Sequence, residues 1–192
     1  MVYVLLAEGF EEIEALGFTD ILRRAGIDTM LASADNSDTV KGSHGIKVCA
    51  DVHIDDIDYA TADAVVLPGG LPGAYNLRDS ERVKKLLDYA FDNGKIMGAI
   101  CAAPYVYDTF GYLKETHATA NPGFADKMTN CIFCSGRVVT DGNFITSQGP
   151  GTTHEFAAAF IEKFKSKKLA DELIDEMLFG DSLKMRITIS QN

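Results

Sequence analysis

The chain has 192 residues, of which 46% are hydrophobic and 24% charged, and its net charge is −10. This composition is typical of a globular protein, and the length suits one domain spanning residues 1–192. An acidic surface repels phosphate groups and anionic lipids, so we expect neither nucleic acid nor a membrane as a partner.

Two further features bear on the cellular compartment. Met1 leads directly into VYVLLAEGF, without the basic segment that opens a secretory signal, and no apolar run approaches the length of a membrane span. The four cysteines lack the close spacing of a disulfide scaffold. These features predict a cytoplasmic protein with free thiols.

Hydrophobic periodicity divides the chain into alternating strands and helices. The first half is predicted to contain a strand at 2–7, a helix at 11–26, strands at 28–34 and 62–70, and a hairpin or edge segment at 44–54. The second half is predicted to contain a helix at 80–94, a strand at 95–101, a helix at 102–113, paired strands within 131–149 that turn at Asp141-Gly142, helices at 152–168 and 169–179, and an added strand at 183–189. This order predicts an α/β fold whose mostly parallel sheet is covered by helices on both faces.

Ligands of such folds bind at the carboxyl ends of the strands. Three predicted strand ends carry distinctive loops, which are AEGFEE, LPGGLPGA and ICAAP. The third loop contains Cys101, flanked at two residues' distance by Ala99 and Ala103. A nucleophile elbow needs this small-x-Cys-x-small pattern, because strand and helix pack closely across the turn. At a helix start, the macrodipole and free N–H groups would lower the pKa of the thiol. A buried structural cysteine explains the spacing equally well.

Two neighbouring features favour a reactive site. Gly69 and Gly70 follow a strand, where their amides can approach an anion, although a glycine pair also commonly just turns the chain. Glu14 lies on an otherwise apolar helix face, whereas Glu11 and Glu12 belong to a solvated first turn. Burial would raise the pKa of Glu14 and make it a hydrogen-bond donor, while a position at the edge of that face would leave it solvated.

Five segments, in order along the chain, resemble the DJ-1 branch of the DJ-1/ThiJ/PfpI superfamily; they are AEGFEEIEA, VVLPGGLPGAYNL, AICAAP, ATANPGFADKM and TSQGPGTTHEFA. The resemblance implies a flavodoxin-like α/β sandwich, usually a homodimer, that needs no cofactor. It also implies glutathione-independent glyoxalase action on a small aldehyde, deglycation of glycated proteins, chaperone action or oxidative-stress sensing.

The same resemblance implies roles for individual residues. Cys101 matches the reactive, easily oxidised cysteine, and Glu14 matches the acid that hydrogen-bonds it. The amides of Gly70 and Ala102 match the donors of an anion pocket. Gly69 lies beside this pocket, and Gly149 and Pro150 line it.

Two positions depart from the patterns of related branches. Protease-like members carry histidine directly after the cysteine, where this chain has Ala102, so we do not expect a Cys-His peptidase. Some DJ-1-branch members place a histidine before a proline near the cysteine, where this chain has Asn121. The side-chain amide of asparagine cannot act as a general base at neutral pH, so we expect Glu14 or water to be the general base.

The other candidate residues are less directly connected to Cys101. His154, after the QGPG loop, is a possible contributor to the site, and the resemblance places His44 near a dimer contact. Cys131 and Cys134 form a lone C-x-x-C on a predicted strand, without the two further ligands that zinc requires, so we expect no metal.

Two functions remain open. In the first, Cys101 adds to a 2-oxoaldehyde as an enzyme nucleophile. In the second, Cys101 is oxidised to a sulfinate in a non-enzymatic sensor or redox-regulated chaperone.

Overall fold

The computed structural model describes residues 1–179, so the strand predicted at 183–189 lies outside the described residues. The strands are β1 (Val2–Leu6), β2 (Thr29–Ser33), β3 (Thr39–Lys41), β4 (Lys47–Cys49), β5 (Val52–His53), β6 (Ala64–Leu67), β7 (Ile96–Ile100), β8 (His117–Ala118), β9 (Ile132–Phe133), β10 (Val138–Asp141) and β11 (Phe144–Ser147). The α-helices are α1 (Glu12–Arg24), α2 (Gly73–Arg78), α3 (Glu81–Asp92), α4 (Pro104–Thr109), α5 (Thr153–Phe164) and α6 (Lys167–Glu176).

The central sheet has seven strands in the order β10-β11-β7-β6-β1-β2-β5. All neighbours in it are parallel except β10 and β11, which form an antiparallel hairpin. Strands β1 and β6 are buried along their whole length, as expected for parallel strands whose residues are continuously apolar. The prediction of a mostly parallel α/β sheet is confirmed.

Alternate side chains of the sheet face two separate apolar layers. Val4 and Leu6 of β1 pack with side chains of α1, α5 and α6, whereas Tyr3 and Leu5 pack with side chains of α2, α3 and α4. Helices therefore cover both faces, which is the flavodoxin-like sandwich. Within residues 1–179, every helix is too short or too polar to cross a bilayer.

Several predicted boundaries differ from the structure. Segment 44–54 splits into β4, which pairs with β3 outside the main sheet, and β5, which forms the sheet edge. The helix predicted at 102–113 is only the six-residue α4. The last two helices separate at Ser166, because its side chain caps α6 by accepting a hydrogen bond from the Leu169 N–H. The turn at Asp141-Gly142 is as predicted, with Gly142 in the left-handed region at φ 58°.

Candidate active site around Cys101

Cys101 follows β7 at the carboxyl end of the sheet and adopts a left-handed backbone conformation, with φ 62°. Such a conformation is unfavourable for a residue with a side chain, and it concentrates at functional sites. Two backbone hydrogen bonds hold it in place. The Cys101 N–H donates to the Ser147 carbonyl at 2.9 Å, and the Cys101 carbonyl accepts from the Asn121 N–H at 2.8 Å.

Gly69 and Gly70, which follow β6, pass directly against Cys101. A Cβ on Gly69 would lie 2.6 Å from the Cys101 Cβ and 2.8 Å from Glu14 Oε2, so a glycine is required there. Gly70 has a φ of 87°, again in the left-handed region. The amides of Gly70 and Ala102 lie near the Cys101 sulfur, and both lower the pKa of its thiol. The sulfur therefore lies among fixed donors that would stabilise negative charge.

Glu14 points from the first turn of α1 toward the same place. Glu11 caps this helix by accepting a 2.7 Å hydrogen bond from the Glu14 N–H, which fixes the turn. The Glu14 side chain is buried, as residue 14 is only 1% exposed. Its Oε2 accepts a 2.7 Å hydrogen bond from the Gly69 N–H. Its Oε1 is buried and has no hydrogen-bond partner of ordinary geometry within residues 1–179.

Burial dominates the protonation of this pair. It raises the pKa of Glu14 to about 8, with a further increase from the charge of Glu11, against the lowering effect of hydrogen bonds from Gly69 and Cys101. Burial and the charge of Glu14 raise the pKa of the Cys101 thiol to about 12, although the Ala102 and Gly70 amides lower it. The raised carboxyl pKa agrees with the sequence analysis, whereas the predicted lowering of the thiol pKa is wrong. The physical reason is that the thiol is buried and lies beside the Glu14 carboxylate, and the Ala102 and Gly70 amides do not offset these two effects.

Two further loops border Cys101 through its backbone partners. Gly149 follows Ser147 by two residues and is buried, with its N–H donating to Thr152 Oγ1 at 3.1 Å, while Pro150 is exposed. The Asn121 side chain accepts a 3.0 Å hydrogen bond from the Gly123 N–H, so its amide is engaged within its own loop. Thus Asn121 is joined to Cys101 through the backbone, and Gly149 follows the other backbone partner, Ser147, by two residues.

His154 has a different environment. Its ring stacks on Phe179 with 4.6 Å between centroids and 6° between planes, and its Nε2 lies 3.8 Å from Glu155 Oε1. Burial lowers the pKa of His154, so the ring is neutral near pH 7. These contacts are those of a packing residue.

Glu11 and Glu12 are buried, so the prediction that both are solvated is wrong, and the role of Glu12 was not predicted. Glu12 Oε1 accepts a 2.8 Å hydrogen bond from the His44 N–H, and Oε2 lies 2.9 Å from His44 Nδ1. Burial acts to raise the pKa of Glu12, but hydrogen bonds from His44 and the Ile46 N–H outweigh it and lower the pKa to about 2. Glu12 therefore fastens the β3–β4 hairpin to α1. The His44 side chain remains 71% exposed.

Possible metal ligands occur in the same region. The ligand atoms of Glu11, Glu12 and His44 lie within 4.8 Å of one another. The Glu12 carboxylate is already engaged by hydrogen bonds from residues 44 and 46, and Glu11 Oε2 caps α1. These bonds give the group a structural role that needs no ion.

All four cysteines are free thiols, but their surroundings differ. Burial and the neighbouring Asp108 raise the pKa of Cys131 to about 11, and the Cys134 thiol donates to the Ile132 carbonyl at 3.6 Å. Cys49 is exposed beside Thr39. Cys101 alone among these four has a hydrogen-bonding carboxyl group and two amide donors at its sulfur within the described part of the chain.

Comparison with known proteins gives a consistent assignment. The sequence profile of the DJ-1/PfpI family matches residues 1–163. Protein DJ-1 homolog A of Arabidopsis thaliana is 41% identical over 173 residues, which are 90% of this chain and 44% of that protein. Glutathione-independent glyoxalase DJR-1.2 of Caenorhabditis elegans is 32% identical over 173 residues, covering 89% of this chain and 91% of that protein.

A solved structure extends the similarity to three dimensions. Oxidized Toxoplasma gondii DJ-1 superposes with a TM-score of 0.89 at 37% identity, covering 93% of this chain and 98% of that one. The chain spans less than half the length of the two Arabidopsis relatives. Since both the profile and the structural likeness cover most of its residues, the chain belongs to the DJ-1/PfpI family.

Proposed function

We propose that this protein is a glutathione-independent glyoxalase that converts small 2-oxoaldehydes to 2-hydroxy acids through Cys101. The observation that carries the proposal is the close approach of Cys101, the Gly69-Gly70 turn and the buried Glu14 carboxyl group, whose pKa is about 8. A relative that bears the name of this activity supports it. Free thiols favour a cytoplasmic setting.

The chemistry needs no added oxidant or reductant. The Glu14 carboxylate takes the thiol proton as the Cys101 sulfur adds to the aldehyde carbon and forms a carbon–sulfur bond. The new oxyanion, stabilised by the Gly70 and Ala102 amides, then takes that proton from Glu14. The Glu14 carboxylate then moves the hydrogen of the first carbon to the second as a proton, while the hydroxyl proton passes between the two oxygens. The resulting thioester is hydrolysed by water, which releases the 2-hydroxy acid and restores the sulfur.

Methylglyoxal incubated with the protein in the absence of glutathione tests this proposal. We expect lactate to form with the wild-type protein and with Cys49→Ser, and not with Cys101→Ser. Lactate formation equal in the wild type and Cys101→Ser would overturn the proposal.

One observation favours a second candidate function, a peroxide sensor. Glu14 Oε1 is buried and has no hydrogen-bond partner of ordinary geometry among the described residues, and the carboxyl group holds its proton at neutral pH. A sulfinate on Cys101, formed as two peroxide molecules each transfer one oxygen atom and leave as water, would accept that proton as a hydrogen bond. After mild peroxide treatment, mass spectrometry should find two added oxygens on Cys101 before Cys49, Cys131 or Cys134. Equal oxidation of all four cysteines would exclude this function.

We also propose a homodimer that uses the surface around His44. Ile13 and Ile46 flank the Glu12–His44 contact and are 59% and 54% exposed, which is unusual for large apolar side chains. Burial of this surface against a second copy would remove both from water. Light scattering should give twice the monomer mass for the wild type and the monomer mass for Ile13→Glu; a wild-type monomer would refute the dimer.

A further inference from the structure

A group of aromatic and cationic side chains, which we call the rim cluster, consists of Tyr75, Arg78, Tyr105, Phe124 and Lys127. The Arg78 guanidinium lies 5.0 Å from the centre of the Tyr75 ring and 5.9 Å from that of Tyr105. The Lys127 ammonium lies 4.6 Å from the centre of the Phe124 ring. The rings of Tyr105 and Phe124 are 5.8 Å apart, so the cluster is continuous.

The rim cluster is built from three segments that each begin at a residue of the site. Helix α2, which carries Tyr75, follows Gly70, and α4, which carries Tyr105, follows Cys101. The 3-10 turn Pro122–Lys127 follows Asn121, whose N–H binds the Cys101 carbonyl. Each aromatic residue therefore stands three to five residues, about one helical turn, beyond a residue of the site.

The two cations of the cluster differ in availability. Arg78 donates from Nε and Nη2 to the Asp79 carboxylate at 2.7 and 3.0 Å, which neutralises its charge. Lys127 donates to the Tyr75 hydroxyl at 3.3 Å and has no ion-pair partner within residues 1–179. It is exposed, so its ammonium group can accept an anion from solution.

The charge of Lys127 contrasts with its surroundings. The reacting end of the site carries Glu11, Glu12 and Glu14, and the whole chain has a net charge of −10, so an anionic ligand meets general repulsion. The Phe124 ring and the Tyr75 hydroxyl hold the Lys127 ammonium in one position in the rim cluster. Its positive charge attracts there an anion that the acidic residues repel.

We propose that Lys127 is a specificity-determining residue, which binds a carboxylate at the far end of a 2-oxoaldehyde whose aldehyde carbon reaches Cys101. The Tyr75 hydroxyl accepts a hydrogen bond from Lys127 and directs its own proton to the same carboxylate. This inference rests on the proposed glyoxalase function and names its preferred substrate class, the anionic 2-oxoaldehydes.

Turnover provides the first test. The ratio of kcat/KM for 4,5-dioxopentanoate, which carries a terminal carboxylate, to that for methylglyoxal is measured in the wild type and in Lys127→Gln. We expect this ratio to fall about fivefold in Lys127→Gln, which is the effect of one exposed charge. Lys127→Arg should keep the ratio, as should Lys84→Gln, because the Lys84 ammonium lies over a different ring, that of Phe110.

Alkylation of Cys101 provides a readout that needs no turnover. Iodoacetate and iodoacetamide are nearly equal in size, but only iodoacetate is charged. The rate of alkylation of Cys101 by iodoacetate, divided by the rate with iodoacetamide, therefore measures how strongly the site attracts an anion; mass spectrometry follows both reactions. We expect this ratio to fall about threefold in Lys127→Gln and to decrease with added salt in the wild type.

The two experiments separate the two proposals. Absence of lactate from methylglyoxal overturns the glyoxalase function, and the alkylation ratio then decides whether Lys127 attracts anions to the site. An alkylation ratio that is the same in the wild type and Lys127→Gln overturns the role of Lys127, whatever the absolute rates.

Discussion

Glu14 and Cys101 affect each other's protonation in opposite directions: the charge of the Glu14 carboxylate raises the pKa of the thiol, whereas a hydrogen bond from the thiol lowers the pKa of the carboxyl group. With burial included, the carboxyl group has a pKa of about 8 and the thiol one of about 12. The first proton therefore leaves the pair just above neutral pH, and the second leaves only in strong alkali because it must create a second charge in the same place.

Replacing Glu14 with glutamine should lower the pKa of Cys101. The amide keeps the size of the side chain but removes the charge that opposes the thiolate, so the thiolate should form well below pH 12. Absorbance of the thiolate against pH, in proteins whose other three cysteines are serine, measures this change. At a pH below the thiol pKa, each unit of decrease in that pKa raises the thiolate fraction, and with it the alkylation rate, roughly tenfold. An unchanged titration would mean that Glu14 does not control the thiol.

The same carboxyl group should make folding stability depend on pH. Its pKa is 4.5 ordinarily and about 8 in the folded protein. Between these values the unfolded chain has lost the proton that the folded chain keeps, so stability is fully present below pH 4.5 and falls as the pH rises toward 8. Relative to the wild type, Glu14→Gln should therefore gain stability by about 2–4 kcal/mol between pH 5 and pH 8, as measured by urea unfolding. Parallel pH profiles for the two proteins would contradict this account.

Gly69→Ala should damage the site and the fold together. The added methyl group would meet the Cys101 Cβ at 2.6 Å and the Ala102 nitrogen at 3.0 Å, neither of which can rotate away. We expect a loss of roughly 1–3 kcal/mol in the free energy of unfolding and slower alkylation of Cys101. Gly151→Ala is the matched control, since nothing lies within 4 Å of its added methyl group. Equal stability of the two variants would show that Gly69 is not required.

Glu12→Ala should loosen the β3–β4 hairpin. It leaves the His44 and Ile46 N–H groups without the carboxylate that they now bind at 2.8 and 3.3 Å, which should cost about 1–3 kcal/mol. Hydrogen exchange should accelerate at those two amides and stay unchanged in β6. Because the pKa of Glu12 is lowered to about 2, its stabilisation is present above pH 4.5 and is lost as the pH falls through 2. Protection of residues 44 and 46 equal to that in the wild type would exclude this role.

Long apolar or strongly periodic segments could be predicted from the sequence. Strands β1, β6 and β7 and helices α1, α3 and α5 were recognisable because each repeats its pattern over several residues. Strands β3, β8 and β9 have two or three residues, too few for any periodicity, and α2 has only six. These elements are stabilised by contacts with distant parts of the chain.

The site could be predicted in part. The glycine pair and the small residues around Cys101 indicate where two backbone segments lie close together, because such an approach requires small residues in the local sequence. The thiol pKa could not be predicted, because it is determined by burial and by a carboxyl group 87 residues earlier in the chain. The burial of Glu12 was missed because its partner His44 lies on the separate β3–β4 unit, which no helical pattern reveals.

The backbone of Cys101 is held by Ser147 on one side and Asn121 on the other, and neither bond involves the sulfur. A thiol consumed by alkylation or over-oxidation would therefore leave the local chain path in place. Inactivated molecules would keep the two backbone hydrogen bonds that set the path of the chain at residue 101. The time for which the protein stays active would then be limited by chemical modification of the Cys101 sulfur rather than by unfolding.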